Sequence, residues 1–351
     1  MRAIVIRQFG PPDVLRYEEV PDPRPRAGEV RIRIHAATVN RVLDVSLRAG
    51  RESAREPVLP LIPGVDCAGV IDGVGEGIRR WQEGMRVAAA GVMPLEPCAE
   101  DGTAYAGPTG MMGIKRPGGF AQMVTVPACA VTELPPGLDF HQAAVVMRHV
   151  PTAWNQLVNV ACLKAGETVL IMGAGGNLGS IGIQIARNVI GAKVIAGAGS
   201  DQRAASGIDL GADHALNYNA CDIAAEVMKL TGGKGVDVLY DNIANPKVLP
   251  AAFRTLGYDG RLVTAGAHAG PVVAIDFSHL YHKRITITGR PGYHPADIAK
   301  CFAAAAAGKI KPQIERILPL SRAAQAHELV EQGMSQGKIV LDPTLDLTER
   351  A

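Results

Sequence analysis

The stretch Thr168–Arg187, TVLIMGAGGNLGSIGIQIAR, constrains the fold more than any other part of the chain. It opens with Val169-Leu170-Ile171-Met172, an apolar run short enough for a buried strand. It turns through Gly173-Ala174-Gly175-Gly176-Asn177-Leu178-Gly179 and continues as a helix with Ile181, Ile185 and Ala186 on one face. A backbone that approaches a pyrophosphate closely can carry no side chains at the point of contact. The phosphate then sits at the helix N-terminus, where unpaired N–H groups and the helix dipole favour negative charge. Strand, glycine turn and helix in this order predict the first unit of a dinucleotide-binding sheet. Gly173, Gly175, Gly176, Asn177, Leu178 and Gly179 would line the phosphates.

The rest of the chain divides around this unit. From Pro151 onward, strand-like and helix-like segments alternate: Val169–Met172, Leu178–Val189, Lys193–Gly197, Asp201–Leu210, Asp222–Leu230, Val236–Tyr240, Pro246–Thr255, Arg261–Ala265 and Ile285–Thr288. That alternation implies an α/β unit, a doubly wound parallel sheet with helices on both faces. Residues 1–150 instead read as short strands separated by Gly and Pro. Among them are Ala3–Ile6, the period-two segment Glu29–His35, Gly84–Ala88 and Phe120–Val126, which together suggest a barrel-like β domain. Between Ala90 and Gly119 lies an irregular lobe rich in Gly, Pro and Met. After Gly289, helices Pro295–Ala307 and Ser321–Gln332 and a last strand, Lys338–Leu341, are expected to fold back onto the first domain.

Length and composition narrow the function classes. A chain of 351 residues suggests two domains. A net charge of +2 gives no reason to expect nucleic acid or an acidic membrane surface. No apolar run approaches the roughly 20 residues that span a bilayer, and the start, MRAIVIR, is too short and charged for a secretory signal. The six cysteines form no C-x-x-C pair, which points to free thiols in a reducing, cytoplasmic setting.

Several further motifs carry a resemblance. They are the opening MRAIVIRQFGPPDVLRYEEVPDP, the segment Pro63-Gly64-x-Asp66-x-Ala68-Gly69-Val70, Gly118-Gly119-Phe120-Ala121, Thr152-Ala153-Trp154 and the closing Gly337-Lys338-Ile339-Val340-Leu341. Over nearly its whole length the chain resembles the medium-chain dehydrogenase/reductases, and within them the zinc-free quinone oxidoreductase-like branch. The resemblance implies a GroES-like, β-rich catalytic domain formed by residues 1–149 and 289–351. It also implies a Rossmann NADP-binding domain at 150–288, with the active site in the cleft between them.

Zinc-dependent members of that superfamily hold the catalytic metal with a Cys after the first alternating strand, a His in a His-Glu pair after the Pro-Gly, and a further Cys or His before the Thr of the second domain. This chain has Asn40, Val65-Asp66 and Arg148 at those places. An arginine repels a cation, and the lobe holds only Cys98 where a structural zinc needs four cysteines. No metal is therefore expected, with His35 and His149 the remaining imidazoles near the site.

The cofactor is expected to be NADPH. In an NAD-binding unit a carboxylate ends the second strand and binds the ribose 2′-OH. Here that slot is Ala198, and Asp201 comes too late. Ser200 and Arg203 offer a hydroxyl and a guanidinium beside a helix N-terminus, a combination suited to a 2′-phosphate. Alternatively, Ser200 only caps the helix. The resemblance adds Tyr218 for the same phosphate, and Thr152, Asn242, Ala267 and Lys338 as further cofactor contacts.

Without a metal, the resemblance implies hydride transfer to a small molecule that is already electrophilic, a quinone or an α,β-unsaturated carbonyl, whose developing oxyanion needs only donors. The candidate catalytic residues are Asn40, Asp44, Arg148 and His149, with Tyr105 of the lobe as an outside candidate. Asn40 and Asp44 stand four apart where the family spaces its Asn and Asp three apart, so the sequence leaves open whether Asn40 or Arg41 faces the site. Arg148 either replaces the metal's charge or pairs with Asp66. The alternatives are an alcohol or aldehyde dehydrogenase of the same fold and a non-catalytic NADP-binding sensor. A homodimer or homotetramer is expected, paired near Ile285–Thr288.

Overall fold

The computed structural model of the chain describes residues 1–51, 57–89, 91–96, 98–100, 107–270, 272–333 and 337–348. The chain forms two compact units, Met1–Arg148 with Pro312–Ala351, and His149–Lys311. None of the described helices is long and apolar enough to cross a membrane.

The first unit is built on antiparallel strands. β1 (Arg2–Val5) pairs with β2 (Arg16–Glu19). β3 (Glu29–Thr38) is the hub: the period-two alternation of its first half buries Val30, Ile32 and Ile34. It pairs along its length with β4 (Cys67–Val74), which pairs in turn with β5 (Arg86–Ala89). Register shifts between Arg31 and Ile32 and between Ile34 and Ala36 bend it. In the lobe, β6 (Val92–Pro94) and β7 (Thr109–Met111) form a short antiparallel pair, where the sequence suggests irregular chain. β8 (Met123–Pro127) pairs with the first half of β3, and β9 (Val131–Glu133) with β5.

Two links fasten the lobe. The Arg116 guanidinium pairs with the Glu29 carboxylate at 2.5 Å. Burial would push the Glu29 carboxyl up, but hydrogen bonds from Arg26 and Arg116 outweigh it and hold it down at about 2. Cys98 and Cys129 form a disulfide, their Cα atoms 6.7 Å apart and within bridging range. The expectation of free thiols is thus corrected for these two residues; Cys67, Cys162, Cys221 and Cys301 are free.

The second unit holds β10 (Thr168–Met172), β11 (Lys193–Ala198), β12 (His214–Asn217), β13 (Val236–Tyr240), β14 (Leu256–Thr264) and β15 (Thr286–Gly289). Their order is β12-β11-β10-β13-β14-β15 and every neighbouring pair is parallel. The order reverses between β10 and β13, so the carboxyl ends of these two strands flank the crevice where such sheets take a ligand.

The chain returns through β16 (Ile314–Pro319), the helix Ala323–Gln332 and β17 (Lys338–Asp342). β17 pairs with the end of β3, Val340 opposite Thr38. The crossing back to the first unit lies at Pro312 and not at 289 as expected. Side chains of the second unit hold the intervening segment. Asn159 Nδ2 donates to Asp297 Oδ2 (2.7 Å), the Lys311 N–H to Gln184 Oε1 (2.7 Å) and Asn188 Nδ2 to the Lys309 carbonyl (2.9 Å).

Candidate functional site

The glycine turn of the second unit is made from backbone. The N–H groups of Gly173 and Ala174 both donate to the Gly197 carbonyl (2.8 and 3.0 Å), which ties the turn to the end of β11. Gly173 has φ +75°, a conformation glycine adopts freely. A Cβ on Gly179 would fall 2.1 Å from the Gly173 carbonyl oxygen, so only glycine lets the helix Asn177–Gln184 pack this closely on the turn. Asn177 and Leu178 open that helix, and the Gly176 N–H donates to Gly173 O (2.8 Å).

Beside this turn, the end of β11 carries no carboxylate. Ala198 is buried, and Asp201 is held by Asn217 Nδ2 at 2.9 Å. Ser200 caps the helix Asp201–Asp209, its Oγ accepting the Arg203 N–H at 3.4 Å. The Arg203 side chain lies over Gly175: a Cβ there would come 2.9 Å from Arg203 Cβ and Cγ. Tyr218 follows β12 and reaches the other side, with Oη 3.0 Å from where a Gly199 Cβ would stand. Burial raises the Tyr218 phenol above its usual range while the Arg203 charge opposes that rise. Ser200, Arg203 and Tyr218 therefore converge at one strand end.

At the end of β13, Asn242 is buried and its Oδ1 accepts the Ala265 N–H at 3.0 Å. Its Nδ2 is also buried and lies close enough to the buried Tyr240 hydroxyl to act on it by hydrogen bonding. The loop after β14 is tied to the same edge by the Ala269 N–H on Ile243 O (2.7 Å), leaving Ala267 and His268 exposed. Arg290, also exposed, follows β15 and donates its N–H to Thr264 O (3.1 Å). Thr152 is half-buried in the helix Phe140–Trp154. The glycine turn at this strand end fits a dinucleotide.

The first unit gathers a different kind of site. Asn40 precedes a π-helical turn, Arg41–Val45, closed by the Val45 N–H on Asn40 O at 3.1 Å. This wide turn absorbs the extra residue between Asn40 and Asp44. It turns Asn40 inward (4% exposed) and leaves Arg41 exposed, which settles which of the two faces the cluster. Asp44 Oδ2 accepts from the Asn40 N–H (2.8 Å) and from Asn40 Nδ2 (3.1 Å). Asp66 accepts from the Thr38 N–H (2.7 Å), Thr38 Oγ1 (2.6 Å) and Asn40 Nδ2 (3.2 Å). Lys338 Nζ donates to Asn40 Oδ1 at 2.7 Å.

Lys338, expected at the cofactor, donates to Asn40 inside the first unit. Asn40 has its carbonyl and both amide hydrogens engaged within the cluster, so it orients other groups and has no donor left for a substrate. Burial, with Asp66 beside it, pushes the Asp44 carboxyl up to about 7; burial also raises Asp66, and it lowers Lys338 to about 8. Arg148 is half-buried and stands within electrostatic reach of both Asp66 and Lys338. His149 follows it in the same helix but belongs to the second unit. Tyr105 lies outside the described residues.

The places that hold zinc in metal-dependent proteins of this kind do not present ligands for it. Val65 is apolar and buried, Asp66 is bound by Thr38 and Asn40, and Arg148 is a cation. His35 stacks on Phe140 with centroids 4.4 Å apart. Among the described residues no cluster of three His, Cys, Asp or Glu side chains is placed to hold a metal.

Known proteins agree with this architecture. Residues 26–136 match the family model of the alcohol dehydrogenase GroES-like domain, and residues 177–307 that of a zinc-binding dehydrogenase. A quinone oxidoreductase of Sus scrofa is 32% identical over 349 residues, 97% of each chain. The solved structure of an NAD-dependent alcohol dehydrogenase superposes with a TM-score of 0.87 at 33% identity, covering 97% of this chain and 99% of the other. A mycobacterial quinone oxidoreductase does so with a TM-score of 0.83 at 28% identity, covering 98% and 100%.

Proposed function

Because the chain belongs to the medium-chain dehydrogenase/reductase superfamily, on its quinone oxidoreductase-like side, we propose that this oxidoreductase works with NADPH and without zinc, on an acceptor activated by its own conjugation. A quinone or an α,β-unsaturated carbonyl is such an acceptor. The observation that carries this proposal is the cluster of Asn40, Asp44, Asp66 and Lys338. Its hydrogen bonds engage Asn40 and Asp66, which stand at two of the places where zinc-dependent proteins of this kind carry ligands, and this supports a zinc-free reading.

The nicotinamide cofactor supplies the hydride. The chain's own residues do the rest. The turn at Gly173–Gly179 receives the pyrophosphate on backbone N–H groups. Ser200, Arg203 and Tyr218 hold the 2′-phosphate, the guanidinium with charge-assisted hydrogen bonds. Asn242 Nδ2 donates to the nicotinamide ribose. Arg148 offers a fixed positive charge to the oxygen on which negative charge develops. An unactivated ketone or alcohol needs a stronger electrophile, so this site suits activated acceptors.

Oxidation of NADPH in the presence of quinones, enones and aldehydes tests the proposal. Turnover of quinones or enones with NADPH preferred over NADH is expected. No turnover of any acceptor leaves an NADP-binding sensor. The similarity to an NAD-dependent alcohol dehydrogenase favours a second reading. Stoichiometric zinc in the purified protein, with alcohol oxidation on NAD, would establish it.

We also expect a homodimer. β15 is an edge strand with exposed Ile287, and exposed Phe277 and Tyr281 lie on the helix just before it. An unpaired edge with exposed apolar residues beside it invites pairing with a second copy. Sedimentation equilibrium returning a monomer would remove this expectation.

A further inference from the structure

The polar cluster of the first unit contains two buried carboxylates that share one nitrogen. Asn40 Nδ2 lies 3.1 Å from Asp44 Oδ2 and 3.2 Å from Asp66 Oδ2, and each aspartate is 1% exposed. Two like charges this close and this dry repel far more than in water. The amide between them is oriented by its other end, because Oδ1 accepts from Lys338 Nζ at 2.7 Å. Arg148 acts on both Asp66 and Lys338. With every group ionised, Asp44 and Asp66 are matched by Lys338 and Arg148, and the cluster is neutral. A divalent metal would find no net negative charge to neutralise.

We propose that Lys338 is the positioning residue of this cluster: its ammonium balances the paired carboxylates and, by holding Asn40 Oδ1, turns the donor side of that amide toward them. A protein cation thereby takes the electrostatic role that zinc has in metal-dependent relatives. In its consequences for turnover this rests on the zinc-free reductase proposed above; in its consequences for folding it does not. The groups facing Lys338 are Asp44 from the π turn, Asp66 before β4 and Arg148 from the helix Phe140–Trp154. Cys67 adjoins Asp66 and stays a thiol, since burial and the Asp66 charge push its titration upward. Asp44 Oδ2 receives both bonds from Asn40, so an asparagine at 44 can keep them while removing one negative charge.

The test is a charge-balance cycle read by thermal unfolding. Lys338→Met keeps most of the stem and removes the charge. It is expected to lower the midpoint by on the order of 10 °C at pH 7, where Lys338 is still charged. At pH 5 the loss is smaller, because a carboxyl takes up a proton in compensation. The double variant Lys338→Met/Asp44→Asn is neutral again and should regain more than half of the loss. A double variant no more stable than Lys338→Met alone overturns the proposal, because a packing role predicts losses that add. If Lys338→Met fails to fold, recovery of soluble, cooperatively unfolding protein in the double variant supports the proposal, and failure to recover overturns it. In kinetics with NADPH, kcat should fall in Lys338→Met with KM for NADPH unchanged. A raised KM for NADPH at unchanged kcat makes Lys338 a cofactor ligand and also overturns the proposal. A wild-type protein inactive on every acceptor removes the reductase reading, while the unfolding cycle still judges Lys338.

Discussion

The two units prepare for charge in opposite ways. In the second, a site is made by taking side chains away: glycines at 173, 175, 176 and 179 leave space at a strand end where a helix begins. In the first, Asn40, Asp44, Asp66, Thr38 and Lys338 bond one another, and Asp44 Oδ1 is a buried oxygen without a hydrogen-bond partner among the described residues. A site of the first kind takes in an anion from outside. A cluster of the second kind sets the field and geometry around a neighbour, here Arg148. The difference also explains what each tolerates: the turn is limited by space, the cluster by charge.

The largest effect should come from filling the turn. Gly179→Ala places a methyl 2.1 Å from a backbone carbonyl that cannot move aside. It should remove about 3 kcal/mol of stability or more and abolish NADPH binding, read by thermal unfolding and cofactor fluorescence. Arg148→Ala removes a charge within electrostatic reach of the cluster. Turnover should fall roughly 100-fold, and the unfolding midpoint should fall as well, because Arg148 also balances the buried carboxylates; unchanged kinetics would leave Arg148 as a partner of Asp66 alone. Arg203→Ala should weaken NADPH by about 10- to 100-fold and leave NADH within about twofold. An equal loss for both cofactors would show that Arg203 does not meet the 2′-phosphate.

Two smaller effects depend on pH. Asp44 titrates higher in the folded protein, near 7, than its ordinary 3.8. Its contribution is complete below about pH 4 and is lost as pH rises to about 7. Asp44→Asn should flatten the fall in stability across that range, and an unaltered slope in a pH series of unfolding curves would exclude Asp44 as its source. The smallest effect belongs to His141, whose Nε2 lies 2.8 Å from Asp342 Oδ2. The hydrogen bond to that carboxylate raises the imidazole, and the one from His141 is among those that lower the carboxyl. The pair is present while both are charged and fades as pH rises through the raised His141 value. His141→Ala should therefore cost less than about 1 kcal/mol near pH 6 and close to nothing at pH 9.

The contrast between the units also marks what could be read from the sequence. The glycine turn and the alternating sheet were legible because their signals are local: an apolar run, a glycine spacing and a helix within 20 residues. Several strands were not, β12 and β16 among them. β12 is four residues with one exposed and the others half-buried, and β16 is an edge strand whose central residues are exposed, so neither shows an apolar run or a clean period of two. Which residues stand at the three zinc-ligand places was legible from residue types alone. The cluster that forms there was not, because its central bond joins residues 298 apart. Lys338 sits at the head of an apolar strand, where a lysine gives no sign of being buried. The disulfide is similar: Cys98 and Cys129 carry no spacing signal, and only the lobe's path brings them together.

The π turn at Arg41–Val45 bears on how such a chain can change length. One residue added to an α-helix rotates everything after it by roughly 100° about the axis, which would swing a buried carboxylate out into solvent. A single wider turn confines that rotation to itself, so Asp44 still meets Asn40 although one more residue separates them. Length in this segment is thus a variable the fold can alter without disturbing the strands on either side. Deleting Val42, which is exposed, should let the turn relax to an ordinary α-helical one with the Asn–Asp contact kept. A gain or loss of one residue here would then be a neutral step between relatives, and aligning them by spacing alone would pair the wrong side chains.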